Sequence, residues 1–153
     1  MKLAKGKLQL EDYIVEEISF KRGGQQKFNK KPEAPEDKLN LHFKVENHKV
    51  QKDRYRIRMR IIHNEGPLTN LPFNRFQLMI VLTGYFLFDK GLDEATKNKM
   101  IYNNGMSVLY GIARGIIAQL TGGLGVQRAI LPTLNLLAHL KEPKRMTEAV
   151  RKA

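Results

Sequence analysis

Alternation organises the first half of the chain. In "RYRIRMRI", residues 54–61, an arginine stands at every second position. A strand projects successive side chains to opposite faces, so Arg54, Arg56, Arg58 and Arg60 share one face and Tyr55, Ile57, Met59 and Ile61 the other. Leu39, Leu41, Phe43 and Val45 alternate with Lys38, Asn40, His42 and Lys44, which predicts a second half-buried strand. Leu8, Leu10, Ile14, Ile18 and Phe20 share one parity and predict a strand over 8–20, with Asp12 and Glu16 as interruptions. A fourth runs over about 73–88, apolar on both parities and interrupted at Gly84. "KRGGQQKFNKKPEAPED", residues 21–37, reads as a long loop, whereas a short turn near 47–53 and "HNEGP" at 63–67 separate the later strands. Four strands joined mostly by short turns predict an antiparallel sheet with one apolar and one polar face.

Beyond Gly91 the period changes. Met106, Leu109, Tyr110, Ala113, Ile117 and Leu120 follow helical spacing, and Val108, Ile112 and Ile116 form a second stripe. One sheet cannot cover both stripes, so the second face predicts a homo-oligomer, a dimer or tetramer. Val108, Gly111, Ile112, Gly115 and Ile116 are its interface. The two glycines either admit a close neighbouring helix or merely weaken this one. "TGGLG" at 121–125 lacks the Lys-Ser/Thr of a phosphate loop and follows a helix, so it reads as a helix stop. "LPTLNLLAHL", 131–140, predicts a short second helix before a basic tail, 141–153. The whole of 1–153 reads as one α+β domain, a four-stranded sheet on one long helix.

Composition adds charge. The chain has 153 residues, 27 Lys and Arg against 15 Asp and Glu, a net charge of +12, and no cysteine. The excess of cations suits contact with nucleic acid, acidic protein or anionic lipid. It is spread over both halves. Lack of cysteine excludes disulfide and thiolate-metal chemistry and favours a cytoplasmic setting. The N-terminus lacks the continuous apolar core of a signal peptide. Met106 to Leu124, broken by Arg114 and Gln119, reads as a buried helix rather than a membrane span.

Catalytic chemistry finds little support. His42, His48, His63 and His139 have no metal-ligand spacing, and Ser19 and Ser107 lie in no nucleophile elbow. No nucleophile, base and oxyanion hole assemble, so neither an enzyme nor a metal or cofactor site is expected. A basic sheet face could neutralise phosphate, but its arginine parity carries no aromatic platform for bases. A basic oligomeric nucleic-acid-binding protein stays open as the alternative.

Three segments in fixed order, "EEISF" at 16–20, "VLYGIARGIIAQL" at 108–120 and "LPTLNLLAHL" at 131–140, resemble the protein-export chaperone SecB and its SecB-like relatives. The likeness runs from about Leu8 to Leu140. It implies a SecB-like fold, assembly through the long helix, no catalysis, no cofactor, and a holdase that carries unfolded or partly folded polypeptides in apolar grooves. The positions it implies for peptide binding are Phe28, Leu39, Leu41, Leu131, Leu136 and Leu140, which core packing would suit equally. Export members dock the motor SecA through carboxylates. Here Lys21 and Met79 replace expected acids, the tail carries Lys144, Arg145, Arg151 and Lys152, and only Glu17 matches. Docking to SecA is therefore doubtful, and a dedicated chaperone of another client fits the charge better.

Overall fold

A computed structural model describes residues 5–24, 38–71, 75–123 and 129–135. Strands β1 (Leu8–Arg22), β2 (Leu39–Asn47), β3 (Arg54–His63) and β4 (Phe76–Phe88) form one antiparallel sheet in the order β1-β4-β3-β2. The chain passes from one edge to the other between Arg22 and Leu39, then returns as a β2-β3-β4 meander. Helix α1 (Glu94–Met100) leads through a π turn (Ile101–Gly105) into α2 (Met106–Gly123). The fold is α+β, a four-stranded antiparallel sheet with one long helix packed on it.

The arginine alternation of β3 falls as the sequence dictates. Tyr55, Ile57, Met59 and Ile61 are buried, and the four arginines are exposed on the polar face. β4 is central, which explains its apolar residues on both parities. Leu78, Ile80, Leu82, Phe86 and Phe88 face the core, and Val81 is buried on the other side. Gly84 does not interrupt this strand. A Cβ there would lie 2.9 Å from Leu109 Cδ1 and 2.9 Å from Phe86 Cε2, so its bare backbone admits Leu109 of α2 to the sheet.

β1 departs from simple parity. Its register against β4 shifts between Leu10 and Asp12 and again between Val15 and Glu17. Each shift inserts an extra residue, Glu11 and then Glu16, and such bulges flip the facing of everything that follows. Leu8 and Leu10 face the core, then Tyr13 and Val15, then Ile18 and Phe20. Ile14, expected with the core set, lies opposite Thr83 on the polar face and is 50% exposed.

The helical run starts well before Met106. Asp93 caps it, its carboxylate accepting from Thr96 N (3.0 Å) and from Thr96 Oγ1 (2.6 Å), bonds that hold the Asp93 carboxyl below its ordinary value. Lys97, buried, ties the first turns to the sheet through Asp53 (2.8 Å) and Glu94 (3.3 Å), while Tyr55 Oη donates to Glu94 (3.2 Å). From α2, Met106, Leu109, Tyr110, Ala113, Ile117 and Thr121 are buried. The helix runs to Gly123, inside the segment 121–125 read as its stop. Residues 129–135 have no regular secondary structure, so no helix begins at Leu131; 136–140 and the tail lie outside the described residues. No described helix is long and apolar enough to cross a membrane.

Candidate peptide-binding site

A helix is about 10 Å wide with its side chains. Four strands at about 4.8 Å spacing make a broader platform. One helix therefore covers the two central strands and leaves the outer two in part bare. On β2 the core-facing Leu39, Leu41, Phe43 and Val45 pack against the core yet are only half-buried. On β1 the core-facing Tyr13 and Ile18 are 42% and 38% exposed. Two apolar shelves thus flank the helix.

The β2 shelf is rich in rings and aliphatic groups. Phe43 meets Tyr102 of the π turn edge-on at 6.1 Å. At the end of the sheet Phe20, Phe76 and His63 stack in a row, with centroids 5.1 and 5.4 Å apart, and Leu39 pairs with His63. These surfaces carry apolar area without directional demands, which suits varied extended segments.

Residues 129–135 run back along α2 as a strap. Thr121 Oγ1 accepts from Ala129 N (2.8 Å) and donates to Ile117 O (2.7 Å). Arg114 Nε donates to Leu131 O (3.0 Å), and Tyr110 Oη donates to Pro132 O (2.7 Å). Burial raises the Tyr110 hydroxyl above its ordinary pKa, keeping it a donor. Leu131 is buried, Leu134 packs half-buried on the core, and Ile130 is 71% exposed.

Of the six positions implied for peptide binding, Leu39 and Leu41 lie together on the β2 shelf, and Leu131 is buried in the strap. Phe28, Leu136 and Leu140 lie outside the described residues. Phe43, Val45 and Tyr102 join the shelf without having been singled out. The first two share the alternation of Leu39 and Leu41, so that signal was available. Of the five expected interface positions, Val108, Gly111 and Gly115 face outward from α2, whereas Ile112 and Ile116 pack on the edge of the core. Val108 is 45% exposed, Gly111 and Gly115 are exposed with nothing within 4 Å of a Cβ, and Ile112 and Ile116 are half-buried.

On the polar face, three of the four arginines meet carboxylates. Arg54 pairs with Glu11 (3.3 Å), Arg58 with Glu16 (2.9 Å), and Arg56 with Glu46, which Lys44 also reaches at 2.6 Å. The two β1 partners are the bulged residues. The Thr83 hydroxyl, then Arg58, holds the Glu16 carboxyl below its ordinary value; Lys44, then Arg56, does the same for Glu46.

No family model matches the chain, and no curated protein matches it. Solved structures do. The chain is similar to the SecB-like chaperone Rv1957 of Mycobacterium tuberculosis, solved in complex with a peptide from the HigA1 antitoxin. The TM-score is 0.56 at 17% identity, over 84% of this chain and 91% of that one. A protein of unknown function from Streptococcus agalactiae matches with a TM-score of 0.50 at 12% identity, over 85% of this chain and 100% of that one. What the chain shares with both is the fold, and the fold is SecB-like.

Proposed function

We propose that this chain is a holdase that binds non-native polypeptide on the apolar shelves beside its helix, and that it works as an oligomer built through the outward face of α2. The observation that carries this reading is the half-covered row Leu39, Leu41, Phe43 and Val45 on an outer strand. The likeness to a SecB-like chaperone solved with an antitoxin peptide supports it. Phe28, Leu136 and Leu140, implied for binding by the family likeness, lie outside the described residues, and Leu131, being buried, would support the surface from beneath. It assigns no catalysis and no cofactor to the chain. Clients other than export substrates suit the basic charge, with Lys21 and Met79 on the polar face where export relatives offer acids.

Suppression of aggregation of a chemically denatured protein tests the reading. Full burial of a Leu or Phe side chain is worth about 1.5–3 kcal/mol. Removing two half-covered ones by L41S and F43S together should weaken suppression by about tenfold, with secondary structure and native mass unchanged. A photo-crosslinker at position 39 should label the client. Wild-type protein that fails to suppress aggregation, or a folded double variant as potent as wild type, refutes the assignment.

A further inference from the structure

The fourth rung of the arginine ladder differs from the other three. Arg60 Nε donates to the thioether of Met79 (3.4 Å), a weak acceptor, and no carboxylate pairs with it among the described residues. It lines a recess on the polar face, near the end of the sheet, together with Ser19 and Lys21 of β1. Met79 and the buried Ile62 add apolar walls. Lys21 is exposed and has no ion-pair partner among the described residues. At the rim, Glu65 accepts from Asn40 Nδ2 (2.8 Å), and the side-chain nitrogen of Gln77 is spent on the carbonyls of Asn64 (3.0 Å) and Gly66 (2.9 Å).

We infer that this recess is a second polypeptide site, on the face opposite the apolar shelves, and that it takes an acidic–apolar peptide segment. The segment's carboxylate would sit between Arg60, Lys21 and the Ser19 hydroxyl, and its neighbouring aliphatic side chain against Met79 and Ile62. Charge complementarity favours a peptide over nucleic acid. A phosphate backbone needs a continuous cationic track, whereas Arg54, Arg56 and Arg58 each already meet a carboxylate and Glu65 stands at the rim. A guanidinium without a carboxylate partner offers free donors to one, since charge-assisted hydrogen bonds are about twice as strong as neutral ones.

Fluorescence anisotropy with a labelled peptide of alternating glutamate and leucine tests the inference, with its glutamine–leucine counterpart and a single-stranded oligonucleotide as competitors. The glutamate peptide should bind the full chain about tenfold tighter than the glutamine one. R60Q combined with K21Q should erase that preference, while R58Q, at a paired rung, should retain it. Equal binding of the two peptides, or equal loss in R58Q, overturns the proposal; so does displacement by the oligonucleotide in preference to the glutamine peptide. Aggregation suppression should be unchanged in the double variant, so this site and the shelf site stand or fall separately.

Discussion

Position 84 shows how much one missing methyl group can matter. Leu109 is fully buried, and a Cβ at Gly84 would crowd both its tip and the Phe86 ring. Gly84→Ala should cost about 1–3 kcal/mol, the usual penalty for overpacking, read as a lower urea midpoint with an unchanged slope. Glu16 works through charge instead. Its carboxyl is held low by Thr83 and Arg58, so its contribution is fully present above the unfolded-state value of about 4.3. That contribution is lost as pH falls through the lower folded value. Glu16→Gln should therefore flatten the acid side of the stability-versus-pH curve and leave the alkaline side unchanged; an identical acid limb in both proteins would contradict this. The arginines themselves were plain in the sequence, whereas their partners were not. Glu11 and Glu16 reach Arg54 and Arg58 because each is a bulged residue, and the breaks in alternation at Asp12 and Glu16 do not say which arginine lies opposite.

At the level of elements, regular pleat was legible and irregularity was not. β2 and β3 alternate without fault, and the predicted strands at 39–45 and 54–61 sit inside the observed ones. β1 holds two register shifts, so a single parity misplaced Ile14. The helix shows the same limit. Its stripe from Met106 onward was readable, but α1 is short and polar apart from Ala95 and Met100, and the π turn breaks the period between the two helices. The short helix expected from Leu131 is absent over 131–135. Side chains on α2, Tyr110, Arg114 and Thr121, take up the backbone hydrogen bonds of 129–135 instead, a tertiary effect that local pattern cannot show. For the candidate site, alternation places Leu39 and Leu41 on the apolar face of β2, and only the family likeness implies a binding role for them. That a shelf exists at all follows from helix width against sheet width, which only the topology supplies.

For the whole molecule, the outward face of α2 is the proposed seam between copies. Val108 is 45% exposed and Ile112 half-buried in the isolated chain. Ile112 also packs on the core and Val108 does not, so Val108→Asp should yield a folded monomer by native mass spectrometry, where the parent chain should run as a dimer or tetramer. A parent chain that runs as a monomer at micromolar concentration would sink the seam. The π turn between Ile101 and Gly105 bears on how such a chain can diverge. Such turns accommodate one extra residue in a helix, and each residue advances the helix by about 100°. Losing one amino acid there would swing everything downstream by that angle, carrying Leu109 off Gly84 and turning the glycine stripe towards the side. Descendants of this chain can trade exposed residues of α2 one at a time, but they can change the length of that turn only by rewriting the eighteen residues that follow it.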